Sequence, residues 1–149
     1  MTETSLPIPR FDFDPPEPLT CSLFHLEVLG PEHNDRDYEA WTSSMDHIHA
    51  SSGFENWKWP HPMTLDENMA DMEMHFREYG ERTGFTYSIL DGDEVIGCVY
   101  IYPPKPEQDH LDARVRSWVR VTRAEDDGAV RAELRNWLDT SWSFERTDY

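Results

Sequence analysis

The spacing of apolar and polar residues changes period several times along the chain, and each change marks an element. From Ser22 to Leu29 the pattern alternates, with Leu23, His25, Glu27 and Leu29 on one side and Phe24, Leu26 and Val28 on the other. A period of two is a strand, stopped here by Gly30-Pro31. Asn34 or Asp35 then caps a short helix to about Met45, with Tyr38, Trp41 and Met45 at helical spacing. His47 to Met63 reads as a loop, rich in Ser, Gly, Pro and Trp. Thr64 stands three residues before Glu67, a capping box. Leu65, Met69, Met72, Phe76 and Tyr79 follow at steps of four and three, with Gly80 as the stop.

Phe85–Leu90 reads as a strand, Asp91-Gly92-Asp93 as a tight hairpin turn, and Val95–Tyr102 as a returning, nearly continuous apolar strand that Pro103 and Pro104 end. After a polar loop, Ala113–Val121 is a further strand, with Val115, Val119 and Val121 on one face and Arg114, Arg116, Trp118 and Arg120 on the other. Asp126–Asp139 forms the last helix, burying Val130, Leu134, Trp137 and Leu138, and a short strand follows around Ser143–Arg146. The order is β-α-α-β-β-β-α-β, an α/β (α+β) domain without internal repeats. Ahead of it, Met1–Thr20 carries five prolines and few apolar residues, the composition of an extended or disordered arm that Phe11 and Phe13 could dock onto the body. The expected boundaries are an arm over 1–20 and a single domain over 21–149.

Composition narrows the function classes. At 149 residues the chain fits one domain, which buries roughly 68–70% of its unfolded surface. Aromatic side chains compensate for a 38% apolar fraction. A net charge of −17 opposes binding to nucleic acid or to an anionic membrane. Cys21 and Cys98 have no metal or redox spacing and are expected as reduced thiols. Neither a signal peptide nor a membrane-spanning run is visible, so a cytoplasmic location is the expectation.

The hairpin Phe85–Gly97, continued into Ser117–Val121 and an amphipathic helix, resembles the GNAT superfamily of acyl-CoA-dependent N-acyltransferases, over about Ser22 to Arg146. The resemblance implies a mixed, mainly antiparallel sheet flanked by helices, and acetyl-CoA or another acyl-CoA as co-substrate for transfer to a small-molecule or protein amine. In the family the end of the fourth strand and the following loop hold the acyl-CoA, with the pyrophosphate at a helix start. That places cofactor binding on Val119, Arg120, Val121, Arg123, Gly128, Ala129 and Arg131. The family's phosphate loop runs Arg or Gln, two residues, Gly, one residue, Gly or Ala. Here one register gives Arg123, Asp126 and Gly128, which lacks the central glycine; the other gives Asp126, Ala129 and Arg131. Glu125, Asp126 and Asp127 stand where phosphates should lie, and as helix-start acids they are also capping residues. Charge distribution points the other way: His110–Arg135 is +1, whereas the rest of the chain is −18. Its arginines either take phosphate or pair with neighbouring acids.

The family continues with a further helix and two strands, and its general-acid tyrosine lies there. No motif ties Tyr149 to that role. A second copy completing an open sheet edge makes homodimerisation an expectation. The resemblance also puts the loop between the first helices beside the acceptor cleft, with His47, His49, Trp57 and Trp59 lining it; equally, the tryptophans pack a loop onto the core. No catalytic residue is singled out among Glu27, Glu94 and Asp112. His47-Ile48-His49 with His61 lacks metal-site spacing, and no metal is expected. The alternative function is a GNAT-like fold without catalysis, acting as a ligand-binding or protein-interaction module.

Overall fold

Five strands pair into one sheet in sequence order: β1 (His25–Val28), β2 (Phe85–Asp91), β3 (Glu94–Tyr102), β4 (Ala113–Val119) and β5 (Thr147–Asp148). The first four are antiparallel, and β5 runs parallel to β4. Four helices flank the sheet: α1 (Asn34–Thr42), α2 (Met45–His49), α3 (Leu65–Glu81) and α4 (Asp127–Ser141). The computed structural model describes residues 8–149. This is the mixed, mainly antiparallel, helix-flanked sheet expected from the sequence.

Alternation along the strands divides the core in two. Phe85, Tyr87 and Ile89 of β2, Val99 and Ile101 of β3, and Val115 and Val119 of β4 face α4, whose Val130, Leu134, Trp137 and Leu138 are buried as the spacing predicts. Cys98 and Tyr100 of β3 and Trp118 of β4 face the other way, towards Ala40 and Trp41 of α1, Ile48 of α2 and Met72 of α3. The pairing shifts between Ile89 and Leu90, which face Gly97 and Val95. The unmatched Ile96 therefore turns to the α4 side and Val95 to the other. Gly97 lies against the Trp118 carbonyl so closely that a Cβ would collide with it. Gly92, at φ 60°, makes the hairpin turn.

Several boundaries differ from the sequence reading. His47 and His49 sit on the short helix α2 rather than in a loop. The helix from Asn34 stops at Thr42, short of Met45. The Thr64–Glu67 capping box forms, with Thr64 N donating to Glu67 Oε1 at 2.8 Å and Glu67 N to Thr64 Oγ1 at 3.1 Å. That helix ends at Glu81, one residue beyond Gly80, and Arg82 caps it in the left-handed region (φ 62°). Its face is also rotated. Asn68 and Met72 are buried, whereas Leu65 and Phe76 are 42% and 53% exposed, because polar partners on α1 draw Asn68 inward. Strand β4 ends at Val119, and Val121 opens a 3-10 segment and is exposed. The last strand lies at Thr147–Asp148 rather than Ser143–Arg146.

Residues 8–20 run without helix along the body. Phe11 is buried, stacks on Phe85 at 5.1 Å between centroids, and donates its N–H to the Arg82 carbonyl at 2.9 Å. Residues 1–7 of the expected arm lie outside the described residues. Cys21 and Cys98 are both free.

Candidate functional site

The helical period that buries Trp41 also brings Asn34 and Asp37 to the inner face of α1, three and four residues apart. Asn68 of α3 meets all three. Its amide nitrogen donates to Asn34 Oδ1 at 2.9 Å and Asp37 Oδ2 at 3.2 Å, and its carbonyl oxygen accepts from Trp41 Nε1 at 3.0 Å. One turn and two turns further along α3, Asp71 and His75 follow. Beside them opens a cavity of about 210 Å³, floored by Tyr100 and Tyr102 of β3 and walled by Trp57 and Trp59. Trp59 is wedged between Trp41 and Trp118, at 5.5 and 6.0 Å.

Electrostatics single out Asp37. It is 3% exposed, and burial pushes its pKa up to about 6. The Asn68 hydrogen bond and His75 pull it down, while Asp71 pushes it up. Burial also raises Asp71. The Tyr100 hydroxyl, which accepts from Trp118 Nε1 at 2.9 Å, is held far above the ordinary phenol range by burial. His75 Nδ1 lies 3.2 Å from Glu78 Oε1.

Trp57 and Tyr102 also border a second hollow, about 340 Å³, lined by Lys105, Arg114, Arg116 and Asp148. It lies beside the short pairing of β4 with β5. Their pairing covers only Ala113–Thr147 and Arg114–Asp148, and among the described residues no strand pairs with the outer edge of Val115–Val119. Arg116 ties the end of β5 to β4, with Nη1 donating to the Asp148 carbonyl at 2.8 Å and Nη2 to its carboxylate at 3.1 Å.

The residues expected to hold acyl-CoA are not gathered into one basic surface. Val119 is in the α4-side core. Arg120, 7% exposed, binds Glu39 at 2.6 Å and Glu94 at 3.3 Å. Arg123 binds Asp91 at 2.7 Å, Asp126 at 3.1 Å and Glu94 at 3.5 Å, which raises its pKa. Of the two readings of these arginines, the structure has the pairing with acids: a guanidinium leaving water needs carboxylates, and this chain supplies them in excess. The Val121 N–H is taken by Ser44 Oγ at 2.8 Å. Gly128 and Ala129 are exposed on the first turn of α4, with open space before Gly128. Arg131 lies over the Tyr149 ring at 4.6 Å, and the Tyr149 hydroxyl is 2.5 Å from Ser117 Oγ, filling the groove between β4 and α4.

Of the residues expected beside the acceptor, Trp57 and Trp59 line this cavity. His49 hydrogen-bonds the carbonyls of Phe54 and Pro60, fastening the aromatic loop, and His47 stands apart beside Val121. Asp37, Asn68, Asp71, His75 and Tyr100 were not anticipated. The signal for Asp37 was present, since Asn34, Asp37 and Trp41 share a helical face.

No protein-family model matches the chain, and no curated protein matches it by sequence. Solved structures do. The ribosomal L7/L12 α-N-protein acetyltransferase RimL superposes with a TM-score of 0.61 at 12% identity, over 89% of this chain and 70% of its own. In its complex with coenzyme A the TM-score is 0.63 at 12% identity, over 81% and 67%. The ribosomal-protein-S5-alanine acetyltransferase of Vibrio fischeri gives 0.62 at 10% identity, over 82% and 67%. Identity this low speaks for the fold, and the fold of this chain is that of the GNAT acetyltransferases.

Proposed function

We propose that the chain is a GNAT-type N-acyltransferase, moving an acyl group from acetyl-CoA or another acyl-CoA to a small-molecule or protein amine. The observation that supports this reading is the outer edge of Val115–Val119, with which no strand pairs among the described residues, beside the two hollows. An unpaired strand edge offers main-chain donors and acceptors to an extended, amide-bearing arm. The main chain beyond Val115, whose carbonyl accepts from Arg116 Nη1 at 2.7 Å, is the part of this edge that the pantetheine portion of the donor would pair with. A bound thioester would supply the activated acyl carbon. The phosphate end fits less well: Glu125, Asp126 and Asp127 surround the start of α4, and Arg120 and Arg123 are engaged with carboxylates. We therefore assign no phosphate contact to these arginines. The outer edge of β5 is where a second copy would pair in a homodimer. Among the described residues no helix is long and apolar enough to cross a membrane.

The engaged arginines favour a second reading, a GNAT-fold domain that binds a ligand without catalysis. Calorimetric titration with acetyl-CoA, at low and moderate salt, separates the two. Saturable binding, followed by acetyl transfer in a screen of amines, supports the enzyme. Absence of heat and of thermal shift at large excess overturns it and leaves the binding domain.

A further inference from the structure

The two neighbouring hollows carry opposite charge. In the first, Asp37 and Asp71 face aromatic rings. One Asp37 oxygen accepts from Asn68; among the described residues the other accepts no hydrogen bond, and Asp37 lines the cavity. A carboxylate oxygen open to the cavity, a second carboxylate and indole and phenol rings together suit an alkylammonium group, through charge and through the ring faces. His75 is the remaining titratable group of that wall besides Tyr100 and Tyr102, and it is turned to Glu78. In the second hollow Lys105, Arg114 and Arg116 outnumber Asp148, whose carboxylate Arg116 already holds.

This asymmetry bears on which nitrogen an acceptor can offer. An amine lodged against Asp37 and Asp71 is held in its protonated form, so its lone pair is unavailable. Acyl transfer consumes a neutral amine: its nitrogen forms the amide bond to the acyl carbon, the C–S bond of the thioester breaks, and coenzyme A leaves as the thiol, carrying the proton that the amine gives up. Near Lys105, Arg114 and Arg116 a nitrogen gives up its proton more readily. The nitrogen that anchors and the nitrogen that reacts are then different atoms of one molecule. Resting on the acyltransferase reading, we propose that the acceptor is an aliphatic diamine or longer oligoamine, one ammonium of which is anchored in the Asp37–Asp71 cavity while the other nitrogen reaches the arginine-lined hollow.

The test starts with binding, without any acyl donor. Butylamine and diaminobutane are titrated calorimetrically into the full chain, with butan-1-ol as the uncharged control. Both amines are expected to bind saturably and the alcohol not at all. The Asp37→Asn, Asp71→Asn double variant is expected to weaken amine binding about tenfold or more. Each variant's melting temperature is read first, and Asp71→Asn alone, at a half-exposed site, gives a folded comparison if the double variant does not fold. With acetyl-CoA present, diaminobutane is expected to be acylated and butylamine to compete without being acylated. Butylamine acylated as well as the diamine overturns the proposal. So does transfer to a peptide N-terminus by a protein that binds neither amine, which leaves the acyltransferase reading standing. Amine binding that depends on Asp37 and Asp71, with no acetyl-CoA bound and no amine acylated, keeps the cation site and overturns the acyltransferase reading instead.

Discussion

The two faces of the sheet are built from alternate residues of the same strands, yet they solve different problems. Towards α4, β2 presents Phe85, Tyr87 and Ile89, and the space is closed by Phe11, Trp137 and Trp142 in edge and stacked contacts of 5–6 Å. Towards α1 and α3, the same strand presents Thr86 and Ser88, and around them His33, Asn34, Asp37 and Asn68 are buried. The first face gains from apolar burial and contact. The second gives up part of that gain to hold polar groups, each needing a partner, around a cavity. A fold can afford one such face when the other is close-packed, and groups that bind or react belong on the looser one.

Truncation on the α4 side should have the largest effect. Trp137→Ala removes a 4%-exposed indole from between Tyr87 and Trp142, and should cost about 3–5 kcal/mol in denaturant unfolding. A loss below about 1 kcal/mol would contradict the close packing described for that face.

The cavity side should reveal itself through pH. Asp37 binds its proton more tightly folded than unfolded, so between its ordinary value near 4 and about 6 the native state holds more protons. Stability should therefore fall as pH rises through that window, by up to about 3 kcal/mol, and show no further change from this group above it. Asp37→Asn should flatten that part of the curve and raise the melting temperature at neutral pH. An unchanged pH profile would mean that Asp37 is solvated.

Arg120→Ala removes a hydrogen-bonded ion pair with Glu39 and an ion pair with Glu94, carboxylates that stay half exposed and can be rehydrated. A loss of about 1–2 kcal/mol is expected. Acetyl-CoA affinity should be unchanged; a loss of affinity with stability intact would return Arg120 to the phosphate.

The smallest effect concerns β1. Glu27 bridges His25 and His33 at 2.8 and 2.9 Å, and those hydrogen bonds, His33 first, lower its pKa. Its contribution is present above the ordinary carboxylate pKa and lost as acid titrates the folded carboxyl. At 45% side-chain exposure, screening keeps Glu27→Gln to about 0.5 kcal/mol in a thermal melt at neutral pH.

Much of the α4 side was legible. The period of Val130, Leu134, Trp137 and Leu138, and the alternation of Val115 and Val119, name a helix face and a strand face that meet. The α3 face was misread because apolar spacing assumes that the buried stripe is the apolar one. Leu65 and Phe76 fit the stripe and are exposed; Asn68 does not fit it and is buried. In the candidate site, Trp57 and Trp59 were anticipated, whereas Asp37 and Asp71 looked like two of many acids on a chain of charge −17.

The sequence by itself determined most of the elements and their order, though not α2 or the place of β5, together with the capping box, the hairpin turn and most of the strand faces, since each depends on neighbours a few positions apart. Only the tertiary structure decided which charges are paired and which carboxylates are dry. Arg120 meets Glu39 across eighty-one positions, and Asp37 meets Asn68 across thirty-one. Partnership and desolvation are properties of what the fold brings close, and they alone separate a carboxylate on the surface from one that can hold a cation.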